Sequence, residues 1–142
     1  MISVRHLLDR KNPALFSVAP EDPVLKAIRS MAEHRVGALL VMRAGDLAGI
    51  VSERDYARKV VLLGRSSADT PVSQIMSSPV ITVSPDTPVQ ECMVLVTEKR
   101  IRHLPVVEAG RVIGIISIGD LVKSVIEEQQ RTIEQLESYI HG

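Results

Sequence analysis

The chain has 142 residues, with 17 Lys+Arg balancing 17 Asp+Glu, so no overall field draws it to nucleic acid or to an anionic membrane. Its 45% apolar content is aliphatic, since one Phe, two Tyr and no Trp leave no platform on which single-stranded bases would stack. A lone cysteine, Cys92, excludes an internal disulfide and a zinc-ligand spacing and fits a reducing compartment.

A chain of this length holds one ordinary domain or two small ones and buries roughly two-thirds of its unfolded surface. The start, Met1 to Val18, scatters Arg5, Asp9, Arg10 and Lys11 among apolar residues, which is not the pattern of a signal peptide. The longest apolar run, Gly37 to Met42, is far short of the ~20 residues of a membrane helix. A soluble, cytoplasmic protein is expected.

In chain order, Val4 to Leu8 predicts a helical turn, and Leu15 to Val18 a short β segment that runs into a Pro-acidic-Pro turn. Val24, Ala27, Ile28, Met31 and Arg35 then follow the spacing of a helix face. Pro23 suits a first helical residue, with Asp22 as its cap. Two β-rich runs, Ala38 to Arg43 and Leu47 to Ser52, flank Ala44-Gly45 and predict a hairpin. A second helix is expected from about Glu53 to Leu63. Gly64 to Thr70 is small and polar, closed by Pro71, and reads as a linker; the domains are placed at residues 1–70 and 71–142.

The order then repeats. After a short stretch at Val72 to Met76 come a β segment at Val80 to Val83, a helix face of Val89, Cys92, Met93, Val96 and Arg100 with Pro88 and Thr87 at its start, two β runs at His103 to Glu108 and Arg111 to Ser117, and a helix from Ile118 to about Ile140. Ser17 to Val60 aligns with Thr82 to Val125 without a gap at one constant offset, a register that chance does not keep over such a length. The fold class expected is α+β or α/β: two β-α-β-β-α repeats packed with pseudo-two-fold symmetry, followed by an extended C-terminal helix. Along that helix Val122, Ile126, Gln129, Ile133, Leu136 and Ile140 fall alternately four and three apart, as in a coiled-coil seam. Glu127, Glu128, Arg131, Glu134 and Glu137 leave its other faces too polar to bury, so a homodimer is expected.

The pattern Gly-hydrophobic-hydrophobic-Ser-x-x-Asp stands at the strand-to-helix junction of both halves, as Gly49 to Asp55 and Gly114 to Asp120. One reading is a capping box, with Ser52 and Ser117 as caps and Asp55 and Asp120 completing it. The longer Glu or Gln usually makes that reciprocal bond, however, and a box requires no glycine. The other reading sets an anion against the helix N-terminus and a ribose cis-diol against the carboxylate.

The doubled unit, both motifs and the Arg102-His103-Leu104-Pro105-Val106 strand resemble a tandem pair of cystathionine-β-synthase (CBS) domains, the assembly called a Bateman module, over nearly the whole chain. The resemblance implies a regulatory module that binds adenosine nucleotides (AMP, ADP, ATP or NAD(H)) or related adenosyl ligands such as S-adenosylmethionine in clefts between the repeats and signals to a protein partner. It implies one site with Ser17, Ala38, Ser52 and Asp55 and another with Thr82, His103, Ser117 and Asp120, the aspartates on ribose hydroxyls. Arg54 and Arg102 become the candidates for phosphate. The halves differ: Gly37-Ala38 faces Arg102-His103, and Glu53-Arg54 faces Ile118-Gly119, so unequal sites are expected.

No metal site is expected, because His6, His34 and His141 lack ligand spacing with acidic or Cys partners. Cys92 takes the place of Ala27 on an apolar helix face and reads as a buried thiol; Arg58, Lys59 and Lys123 read as exposed charges. With no nucleophile elbow and no phosphate-binding P-loop, an enzyme is not expected. The alternatives are a protein-interaction adaptor with vestigial nucleotide sites and a nucleotide-processing enzyme.

Overall fold

The structure, a computed structural model, describes residues 2–10 and 15–141. Two compact units divide the chain, Ala14–Ile81 and Met1–Pro13 with Thr82–Gly142, so each contains one repeat together with the segment that leads into the other repeat. A division at residues 70 and 71 assigns those lead-in segments differently.

The first unit is built on β1 (Ser17–Val18), β2 (Ala38–Arg43) and β3 (Asp46–Ser52). β1 runs parallel to β2, and β2 pairs antiparallel with β3. Helix α2 (Val24–His34) lays Val24, Ala27 and Met31 on Val18, Leu39, Val41 and Val51. Strand residues alternate between faces, which puts Ser17, Ala38, Leu40, Ile50 and Ser52 on the face opposite that core. The β2–β3 turn holds Ala44 and Gly45 at φ of 51° and 85°, the positive pair that a two-residue hairpin of matching twist requires.

The second unit repeats the plan with α4 (Val89–Glu98), β4 (His103–Glu108) and β5 (Arg111–Ser117), β4 and β5 antiparallel. Here the leading β segment is reduced to one parallel bridge, Val83 to Val106. Its core takes Val89, Cys92, Val96, Leu104, Val106, Ile116 and Leu121, all buried. Burial pushes the Cys92 thiol up to about 11, so it is inert at neutral pH.

Three expectations are corrected. Asp22 and Thr87 do not cap their helices. Asp22 Oδ2 accepts the Ala19 N–H at 2.8 Å and Thr87 Oγ1 the Ser84 N–H at 3.1 Å, closing the preceding turns, while the first amides of α2 and α4 donate to the Thr70 and Ile2 carbonyls. Arg35 and Arg100 lie beyond the helix ends, in left-handed conformation at φ of 55° and 53°. The helix expected to about Leu63 is α3 (Glu53–Tyr56) followed by a π-helical turn at Ala57–Val61. Both stretches that lead into a repeat are helical as expected, Val72 to Met76 through a 3₁₀ turn at Val72–Gln74 and Val4 to Leu8 within the longer α1, Val4–Arg10.

Both lead-in segments dock by the same bonds. Val72 N–H donates to the Asp22 carbonyl and Ser73 N–H to Pro20; Val4 N–H donates to Thr87 and Arg5 N–H to Pro85. Each then crosses a motif glycine. A Cβ at Gly49 would lie 2.7 Å from Met76 Sδ and 3.0 Å from the Ser77 carbonyl, and one at Gly114 would lie 2.5 Å from Leu8 Cδ2. Close packing of the lead-in therefore requires these glycines. Gly49→Ala is expected to destabilise by about 1–3 kcal/mol, the range of overpacking. Gly114→Ala should destabilise less, because a mobile Leu end yields where a backbone carbonyl does not. Urea unfolding of both variants checks the order.

Candidate functional site

Register gathers the motif at one end of each sheet. In the first unit Ala38 opposes Ser52 and Ser17 opposes Leu40; in the second His103 opposes Ser117, and Thr82 precedes the bridging Val83. Ser17 and Thr82 are exposed, Ala38 is buried, and His103, Ser52 and Ser117 are half-buried. Asp55 and Asp120 follow one helical turn beyond their serines. The structure thus sets Ala38 beside Ser52 and its Asp55 in the first unit and His103 beside Ser117 and its Asp120 in the second, with Ser17 two residues along β2 from Ala38 at its partner Leu40 and Thr82 on the segment that bridges Val106. Arg54 and Arg102 are exposed and lie at the margins.

Both capping boxes are complete. Asp55 N–H donates to Ser52 Oγ at 3.1 Å, and Ser52 N–H returns to Asp55 Oδ2 at 3.0 Å. Asp120 N–H donates to Ser117 Oγ at 3.1 Å, and Ser117 N–H to Asp120 Oδ2 at 2.8 Å. Asp is long enough after all, because the serine sits in extended backbone and turns its own amide toward the first helical turn. The amides that follow the caps are also engaged, Glu53 N–H with the Gly37 carbonyl and Ile118 N–H with that of Arg102. Two of the first three helix amides therefore bond within the protein in each unit, which restricts the terminus as an anion receptor.

The two aspartates have different surroundings. Lys59 Nζ stands 3.2 Å from Asp55 Oδ1 and donates to the Ile75 carbonyl at 2.9 Å, so one carboxylate oxygen meets the serine and the other a cation. Lys59 is half-buried rather than the exposed charge expected, and its i,i+4 spacing from Asp55 was the available signal. In the second unit Asp120 lines a cavity of about 200 Å³ with Leu7, Arg10, Lys123, Ser124 and Glu127. Arg10 pairs with Glu127 across it, and Ser124 is buried. Lys123 could have been picked out one helical turn after Asp120. Arg10 could not, since only the docking of α1 against α5 (Ile118–His141) carries it there.

Among the described residues no group of three or more His, Cys, Asp or Glu side chains could hold a metal, and no helix is long and apolar enough to cross a membrane. The His34 ring stacks on Phe16 at 3.7 Å, a packing role.

A mixed α/β unit that occurs twice, with the same serine–aspartate box at the strand-to-helix junction of each copy, defines a tandem-repeat module. The CBS domain family model matches residues 2–62 and 72–127, and the chain belongs to the CBS domain family. It is 46% identical over 127 residues to the mitochondrial CBS domain-containing protein CBSX3 of Arabidopsis thaliana, which covers 86% of this chain and 62% of that protein; the chain thus spans less than two thirds of that relative. A solved protein with CBS domains from Burkholderia ambifaria MC40-6 is 52% identical, with a TM-score of 0.87 over 90% of this chain and 96% of its own. A CBS domain protein of Pyrobaculum aerophilum, solved in complex with AMP, is 29% identical with a TM-score of 0.75, over 84% of this chain and 89% of its own.

Proposed function

We propose that the chain is a regulatory ligand-sensing module, without enzymatic activity of its own, that binds adenosine-containing nucleotides (AMP, ADP, ATP or NAD(H)) and signals to a protein target as a homodimer in the cytoplasm. The observation that carries this reading is the twofold recurrence of one constellation: a hydroxyl residue on the leading β segment, the first residue of the next strand, and the serine–aspartate box across from it. The AMP complex of the Pyrobaculum relative supports the choice of ligand class. Ser17, Ala38, Ser52 and Asp55 form one proposed site with Arg54 at its edge. Thr82, His103, Ser117 and Asp120 form the other with Arg102.

The two sites differ in their cations: Asp55 holds Lys59 at its Oδ1, whereas Asp120 lines a cavity together with Arg10 and Lys123. At about 200 Å³ that cavity is below the ~300–1,000 Å³ that encloses a whole drug-sized ligand, so it takes only part of a nucleotide. A ligand moves the module only by binding one conformation better than another.

Asp→Glu substitution separates capping from ligand contact. Glu suits the capping box, so Asp55→Glu and Asp120→Glu should leave stability within about 1 kcal/mol of the parent. A carboxylate displaced by one methylene misplaces its bonds to a ribose, and calorimetry with AMP, ADP, ATP and NADH should show at least a tenfold loss of affinity. Full affinity in both variants would defeat the ribose assignment. The completeness of the capping boxes favours a second reading, an adaptor whose aspartates are purely structural; an absence of adenosine ligand in mass spectra of the purified protein, together with no calorimetric binding, would select it.

A further inference from the structure

The seam on α5 has a direction. Residues 128–141 are all exposed, and Ile133, Leu136 and Ile140 stand 48%, 58% and 74% exposed. In heptad terms Ile126, Ile133 and Ile140 occupy a and Val122, Gln129 and Leu136 occupy d. Lys123, Gln130 and Glu137 then fall at e, and Val125, Thr132 and Tyr139 at g. A parallel in-register pair would set g against e of the other copy, Val125 near Gln130 and Thr132 near Glu137, and would pair no opposite charges. An antiparallel pair sets e against e and g against g. In the register that uses every seam residue, Val122 faces Ile140, Ile126 faces Leu136 and Gln129 faces Ile133, each twice. Lys123 then meets Glu137 of the second copy at both ends of the interface, Gln130 meets Gln130, and Tyr139 meets Val125.

Beside the seam lies an open groove of about 640 Å³, lined among others by Val89 and Met93 of α4 and by Val125, Gln129, Thr132 and Ile133 of α5. An antiparallel second helix brings its last turn alongside Val125, where Tyr139, 87% exposed in this chain, enters the groove. A parallel helix would carry its Tyr139 away from the groove. Charge pairing along the flank and an apolar groove beside Val125 therefore select the same orientation.

We infer that a second copy of this chain covers α5 in antiparallel orientation, with Lys123 of each copy against Glu137 of the other and each Tyr139 seated between α4 and α5 of its neighbour. The inference deepens the homodimer reading and rests on it. It is tested on the full chain with Ile126→Cys and Leu136→Cys, alone and co-expressed, under mild oxidation, with the parent carrying buried Cys92 as control. In the antiparallel register residue 126 is next to residue 136 of the second copy and about 15 Å along the axis from its own equivalent. A covalent dimer is expected only from co-expression. Cross-linking of either variant alone as readily as the pair would establish a parallel seam and overturn the orientation while leaving the dimer intact. A parent dimer with no mixed cross-link would overturn it equally, and a monomeric parent in sedimentation would overturn both orientation and dimer. Lys123→Glu and Glu137→Lys should each raise the dimer dissociation constant several-fold, and the double variant should restore it; failure of that rescue in a dimer also counts against the register.

Discussion

Adenosine nucleotides are expected to raise the unfolding free energy of this chain by about 2.7 kcal/mol when present at a hundred times the dissociation constant, because a ligand bound only by the native state adds stability by mass action. Guanosine nucleotides should add less, since adenine-specific contacts are what the family resemblance assigns to backbone at Ser17, Ala38, Thr82 and His103. The expectation extends to the two units separately. Asp55 already holds Lys59 Nζ at 3.2 Å, so Lys59→Ala should release a competitor and sharpen binding at the first site if that residue only blocks it. Asp120→Glu should remove the part of the nucleotide-dependent stabilisation that the second site supplies. Thermal and urea unfolding with a panel of AMP, ADP, ATP, NADH and S-adenosylmethionine reads all of this. A melt unmoved by any of them at millimolar concentration would sink binding of those compounds.

The fold was legible where local pattern and tertiary demand agree. Both antiparallel hairpins follow from Ala-Gly turns between aliphatic runs, and the bounds of β2, β4 and β5 lie where the sequence places them. α2 and α4 follow from the spacing of Val24, Ala27 and Met31 and of Val89, Cys92 and Val96. Less legible was anything that depends on remote backbone. The carbonyls of Thr70 and Ile2 serve the starts of those helices, and no local pattern announces a cap supplied from a distant segment. Gly49 and Gly114 stood out in the motif, yet the atoms that require them belong to Met76, Ser77 and Leu8, in the lead-in segments. The candidate site was legible as a list of residue types but only partly as an environment: the i,i+4 spacing of Lys59 from Asp55 stood in the sequence, whereas Arg10 enters through the docking of α1, which the repeat pattern does not encode.

Ile133→Asp combined with Leu136→Asp is expected to convert a dimer into a monomer at micromolar concentration. Each substitution replaces an exposed aliphatic side chain of the seam with a carboxylate that an apolar interface would leave unpaired, and burying such a group is far costlier than losing the aliphatic contact alone. Two per chain place four carboxylates within the central layers of a symmetric pair. The fold of the unit itself should survive, because residues 128–141 are exposed in the isolated chain and the core ends at Leu121 and Ser124; an unchanged unfolding midpoint at low protein concentration checks this. Symmetric dimers are the commonest closed assembly, and sedimentation velocity distinguishes the outcomes directly. If the double variant remains as tightly dimeric as its parent, α5 is not the main interface, and association must run instead through α2 and α4, whose outer faces include the exposed Val94.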